Sequence, residues 1–163
     1  MNCQKGKLVT YKTYSKLTIY TFKPDGEECL FDQFIGKFEN NKAYRPCLDK
    51  ILAAVSEFVK RGIDPRRFRP KVERAIEALP SGISKLRLYC VPYGQHAILI
   101  GNGDVKSTLR VQDCPNCGPH WKFLTLLDKE IQERLLSKEI TWQKTKGQDK
   151  LNGNLSFEIG DCE

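Results

Sequence analysis

The sequence predicts an α+β fold, and three observations carry that expectation. Residues 17–22 and 85–101 hold short runs rich in β-branched, aromatic and aliphatic side chains, alternating with polar ones in several places, as half-buried strands do. Residues 30–38, 43–60 and 121–137 repeat apolar side chains at three- and four-residue steps, as helices do. The two kinds of segment run in blocks and do not alternate one by one. That ordering predicts an N-terminal strand, a helical hairpin, an antiparallel sheet and a closing helix.

Each element has its own reason. Leu17-Thr-Ile-Tyr-Thr-Phe22 reads as a strand, and Pro24-Asp25-Gly26 turns the chain after it. Leu30, Phe31, Phe34, Ile35 and Phe38 lie on one face of a first helix that Asn40 and Asn41 end. A second helix carries Leu48, Ile51, Leu52, Val55, Phe58 and Val59, with Pro46 in its first turn and Gly62 as its C-cap. Residues 64–74 form a basic connector whose two prolines oppose a continuous helix. A short strand over 75–79 and a turn at 80–82 follow. Residues 85–91 and 96–101 make a hairpin around Pro92-Tyr93-Gly94. Residues 109–111 are placed as an extension of the sheet. Phe123, Leu124, Leu127, Ile131 and Leu135 line the inner face of the last helix. After it, 140–142 and 155–159 make at best a loose hairpin, so 139–163 is set apart as a tail or hairpin appendage to a domain over 1–138.

Composition narrows the function classes. Hydrophobic residues make up 40% of the 163 and charged residues 29%, the mix of a globular chain able to bury a core. No apolar run approaches the roughly 20 residues needed to cross a bilayer. Lys5, Lys7, Lys12 and Lys16 are followed by no apolar block of the kind a secretory signal needs, so a cytoplasmic location is expected. The seven cysteines, Cys3, Cys29, Cys47, Cys90, Cys114, Cys117 and Cys162, are odd in number. In a reducing compartment they are expected to be free or metal-bound.

The formal net charge is +7, and its distribution says more than its size. Residues 60–110 hold 11 Lys and Arg against 4 Asp and Glu, while the rest of the chain balances 16 against 16. An excess concentrated in the middle third points to an anionic partner, and RNA is the expected one. Arg66, Arg67, Arg69, Lys71 and Arg74 of the connector, with Lys85, Ser107 and Arg110, are the candidate RNA contacts. Phe68 among them either stacks on a base or plugs the core. Arg87 and Lys106 are the candidate catalytic pair. Strand alternation puts Leu86, Leu88 and Cys90 on one face and Arg87, Tyr89 and Val91 on the other. An arginine on such a strand either meets a carboxylate or faces a functional hollow. Lys106 lies in a loop with Gly101, Gly103, Ser107 and Thr108, where backbone N–H groups and an ammonium can meet a phosphate. RNA cleavage without metal needs an oriented 2′-hydroxyl, a stabilised anionic phosphorane and a protonated leaving oxygen. Arg and Lys supply the second.

Cys114-Pro-Asn-Cys117-Gly-Pro-His120 is the other constellation. Two cysteines in this spacing can aim both sulfurs at a zinc ion, with His120 as a third ligand, but a second such knuckle is absent from the sequence. A redox reading requires a parallel βαβ setting, which the antiparallel pattern does not supply. An unliganded turn opening the last helix is the third reading, and the expectation is no cofactor and no metal. The sequence also lacks a glycine-rich phosphate loop opening a helix, a nucleophile elbow and a His-x-x-x-His pair.

The segment Lys85-Leu-Arg-Leu-Tyr-Cys-Val, followed by His96-Ala-Ile-Leu-Ile-Gly-Asn-Gly and Asp104-Val-Lys-Ser-Thr, resembles the RelE/ParE toxin superfamily, in its HigB-like branch. The likeness spans about residues 17–137, with its specific part at 85–108. It implies a toxin of a type II toxin–antitoxin pair. Such a toxin is a metal-independent, ribosome-dependent mRNA endoribonuclease, partnered by a cognate antitoxin protein. The alternatives are a non-catalytic nucleic-acid or protein-binding module and a gyrase-inhibiting ParE-like toxin. By the resemblance Arg87 contacts the scissile phosphate and Lys106 is the basic loop residue. The chain departs from the family's nuclease members in having no tyrosine after Tyr93, and its late histidine is His120.

Overall fold

The computed structural model describes residues 2–69, 76–80 and 84–162. The chain opens with a hairpin, β1 (Gln4–Tyr14) and β2 (Leu17–Pro24), followed by helices α1 (Leu30–Phe38) and α2 (Arg45–Arg61). A single 3-10 turn at Pro65–Arg67 leads to β3 (Glu77–Leu79), β4 (Leu86–Pro92) and β5 (Ala97–Val105). A second 3-10 turn, Val111–Asp113, precedes helix α3 (Gly118–Leu136), and β6 (Ile140–Thr145), β7 (Gln148–Gly153) and β8 (Ser156–Ile159) end the chain. Six strands form one mixed sheet in the order β3-β4-β5-β2-β1-β8; β6 and β7 pair separately. The β2–β5 pair is parallel, and the other pairs of the large sheet are antiparallel.

Both faces of the sheet are covered, which explains why the central strands read as almost unbroken apolar runs. Leu17, Ile19, Leu86, Leu88, Cys90, Ile98 and Ile100 pack with Phe31, Phe34, Leu48, Ile51 and Phe58 of α1 and α2. Tyr20, Phe22, Tyr89, Val91 and Leu99 turn the other way, onto Phe123, Leu124, Leu127 and Ile131 of α3. The alternation of β4 therefore places Arg87 on the α3 side, as its spacing requires. Helix α2 begins with Pro46 in its first turn and ends on Gly62 at φ 86°, a conformation that costs an L side chain energy and glycine none.

The structure is α+β, as the pattern predicts, and departs from it in four places. First, β1 is a long strand where the lysine-rich N-terminus gives little apolar signal. Its face away from the core is exposed, so Leu8 is its one large buried side chain. Second, β5 lies beside β2 in parallel, because α1, α2 and the β3–β4 segment carry the chain across before it returns. Third, 109–111 does not extend the sheet: Leu109 is 93% exposed and Val111 opens a 3-10 turn. Fourth, the segment after Lys138 joins the core, with Ile140, Leu151, Phe157 and Ile159 buried and β8 paired to β1.

That last pairing also corrects the reading of all seven thiols as free or metal-bound. Antiparallel β1 and β8 bring the two ends of the described chain together, Asn2 bridges Asp161, and Cys3 is disulfide-bonded to Cys162 across 159 residues. Cys29, Cys47, Cys90, Cys114 and Cys117 are free. Among the described residues, no helix is long and apolar enough to cross a membrane.

Candidate nucleic-acid interface

Arg87 stands one residue into β4, beside the last turn of the hairpin's open end. It is 7% exposed. One of its amino groups donates to the carbonyls of Ser84 and Leu86, the latter at 3.1 Å. A carboxylate would be the ordinary companion of so buried a guanidinium. Its register partner on β5 is Asp104, but that carboxylate lies 3.5 Å from Lys37 Nζ, and no ion pair to Arg87 forms among the described residues. The charges nearest Arg87 include Arg69 and Lys106. Burial first and the Arg69 charge second lower the Arg87 pKa. Burial first, then Arg87 and Arg69, lower that of Lys106.

Lys106 is held there by its backbone. Its N–H donates to the Lys85 carbonyl at 2.7 Å, just beyond the Leu86–Val105 pair that closes the β4–β5 ladder. Arg69 arrives from the connector: its N–H donates to Ala78 on β3 at 2.8 Å, and its guanidinium reaches the Pro80 carbonyl at 3.3 Å. The structure thus brings Arg69, Arg87 and Lys106 together from three segments. Among the described residues no carboxylate pairs with Arg87, and the Arg69 and Lys106 charges oppose its own, so an anion brought beside it lowers the energy.

The other predicted contacts scatter. Arg66 is exposed and spends its guanidinium on Asp64, with two bonds of 3.1 Å. Arg67 lines a separate hollow with Lys50, Glu57 and Pro80 on the α2 side. Arg110 pairs with Asp113 at 4.0 Å in the exposed loop, and Lys85 projects into solvent. Lys71 and Arg74 lie outside the described residues. Phe68 is 5% exposed with its ring 5.3 Å from that of Phe58, so it plugs the core and is not a stacking platform for bases.

Ser107 faces the thiols. Its N–H and hydroxyl lie 3.4 and 3.5 Å from Cys114 Sγ, and the Cys117 N–H lies 3.3 Å from the same sulfur. Burial works to raise the Cys114 thiol, but these donors, with the Asn116 N–H, outweigh it and bring the pKa down to about 6. Cys117 caps α3 and donates its thiol to the Asp104 carbonyl at 3.3 Å. Burial, with Cys114 adjacent, pushes its pKa up to about 11, against the opposing Tyr89 hydroxyl bonded to it. Burial and that bond raise the Tyr89 phenol strongly.

His120 is directed elsewhere. It lines a cavity of about 200 Å³ with Gln4, Gln33, Asn102 and Phe123, whereas Cys114 lines a different cleft with Gln112, Trp121 and Lys122. Burial first and Lys37 second lower the His120 pKa to about 4. The zinc set Cys114, Cys117 and His120 is therefore not assembled, and no group of three or more His, Cys, Asp or Glu positioned for a metal occurs among the described residues.

Sequence reasoning missed Lys37. Its ammonium donates to the Gly103 carbonyl at 2.6 Å and neutralises Asp104. A contact spanning 66 residues leaves no mark in local spacing. The fold and site define an α+β protein with a cationic cluster at the open end of its central hairpin, next to a pair of thiols. No protein-family model matches the chain, and neither a curated protein nor a solved structure matches it.

Proposed function

We propose that the protein is an RNA-directed toxin of the RelE/ParE kind that seats a backbone phosphate between Arg87 and Lys106. The observation that supports this is the buried Arg87, flanked by Lys106 and Arg69 while its register partner Asp104 is engaged by Lys37. A guanidinium fixed by backbone carbonyls through one nitrogen keeps its other donors for a ligand. Phosphoryl oxygens gain negative charge as a 2′-hydroxyl attacks, so two preorganised cations hold the phosphorane more tightly than the ground-state diester. The partners of this reading are mRNA on the ribosome, and an antitoxin that covers the cluster with carboxylates.

A second reading, RNA binding without cleavage, is favoured by one observation. Tyr89 is buried, and burial first and the neighbouring Cys117 second raise its pKa, while His120 lines another cavity, so neither stands ready to move a proton beside the cations. Growth, translation and mRNA integrity after induced expression separate the two. Wild type that arrests growth and cleaves mRNA, beside a folded Arg87→Ala/Lys106→Ala protein that does neither, supports the toxin. Salt-sensitive RNA binding with intact mRNA supports the binding module. A harmless wild type that binds no RNA removes both.

A further inference from the structure

The sequence reading sets aside redox chemistry at Cys114 and Cys117 for want of a parallel setting, and the fold supplies part of one. Strand β5 is parallel to β2, and after it the loop 106–113 with its 3-10 turn brings the chain to Cys114-Pro-Asn-Cys117, which opens into α3. The Gly118 N–H donates to the Cys114 carbonyl at 2.8 Å, so the two cysteines span one helical turn. The two residues are in direct contact, with the Cys117 N–H 3.3 Å from Cys114 Sγ, and a disulfide forms once their Cβ atoms stand about 3.5–4.5 Å apart. The two sulfurs differ in environment. Cys114 collects N–H and O–H donors and lines an open cleft of about 690 Å³. Cys117 is fully buried behind it and keeps its proton on the Asp104 carbonyl. The charges of Lys106 and Arg87 reach them.

We propose that Cys114 and Cys117 are a hydroperoxide-reactive dithiol, Cys114 the attacking sulfur and Cys117 the resolving one. Cys114 is 2% exposed, which admits a small oxidant through the cleft and excludes a bulky disulfide. The Cys114 thiolate attacks the nearer peroxide oxygen. The O–O bond breaks, a sulfenic acid forms, and the departing hydroxide takes a proton from the Lys106 ammonium and leaves as water. The Cys117 sulfur then attacks Cys114 Sγ, and the sulfenic hydroxyl leaves as a second water with the Cys117 proton. Two thiols are oxidised to one disulfide, and one peroxide is reduced to two waters; Lys106 recovers its proton from solvent. A thiolate held by hydrogen-bond donors at a helix start is the form that reacts.

The test uses the full chain treated with hydrogen peroxide and mapped by mass spectrometry, with Cys3–Cys162 as a separate peptide pair. The expected result is a Cys114–Cys117 disulfide, two hydrogens lighter, formed before Cys47 is oxidised. Its rate should rise through pH 6 and level off above it, following the thiolate. In Cys117→Ser the sulfenic acid should persist and take a dimedone label at residue 114. Should that variant fail to fold, the wild-type map still decides. Oxidation of Cys47 ahead of Cys114, thiols at 114 and 117 that stay reduced in excess peroxide, or one zinc ion per chain held by these two sulfurs would each overturn the proposal. RNA binding is measured separately, so failure here leaves the phosphate reading standing.

Discussion

Arg87 and Asp104 face each other across β4 and β5 in register, yet the Asp104 carboxylate lies 3.5 Å from Lys37 and forms no ion pair with Arg87. Lys37 reaches over from α1 and donates to the Gly103 carbonyl as well. Removing Lys37 should release Asp104 toward its register partner. Lys37→Ala is therefore expected to weaken RNA binding although the lysine is not part of the Arg69–Arg87–Lys106 cluster. Equal affinity in wild type and variant, measured by fluorescence anisotropy, would argue that Asp104 leaves Arg87 alone in both.

Arg87→Ala should lower RNA affinity by about tenfold or more, since a charge-assisted phosphate contact contributes about 1.5–3 kcal/mol. The slope of log K against log salt should shrink by roughly one contact. An unchanged slope would place the phosphate contacts elsewhere.

Glycines at two positions predict opposite outcomes. A Cβ at Gly103 would collide with the Arg87 carbonyl, so Gly103→Ala should destabilise the fold and disturb the cluster together. Gly36 sits exposed within α1 with open space around it, and Gly36→Ala should raise stability by about 0.5–1 kcal/mol. Urea midpoints of both variants read the difference.

The pKa of His120 is held at about 4 by burial and by Lys37, with Asp104 opposing. The ordinary value is 6.5, so the unfolded chain takes up the proton first as pH falls. Stability owed to this residue is complete above pH 6.5 and is lost as pH falls toward 4. His120→Gln should flatten that part of the stability profile; an identical profile would assign the acid sensitivity to other groups.

Phe58 is 1% exposed and touches Phe68, and Phe58→Ala should cost about 3–5 kcal/mol. Truncation after Lys138 should be no milder. It removes Ile140, Leu151, Phe157 and Ile159 from the core and leaves Arg134, whose guanidinium stacks 3.9 Å over the Phe157 ring, without that surface. Expression of a soluble, cooperatively unfolding 1–138 chain would contradict this.

The sequence by itself determined the elements whose burial is periodic. The faces of α1 and α2, the Pro46 start and Gly62 stop, the β4–β5 hairpin and the side of β4 that carries Arg87 all follow from spacing, because period and turn chemistry are local. Tertiary structure decided what depends on residues far apart. It set β5 parallel to β2, took the tail into the sheet as β8, joined Cys3 to Cys162, and brought Arg69, Arg87 and Lys106 into one cluster while Arg66 and Arg110 found carboxylates of their own. It also gave Asp104 to Lys37 and directed His120 away from Cys114 and Cys117. Hydrogen bonds between strands and pairing between charges form across space, so the order of residues along the chain specifies the partners available and the packed fold selects among them.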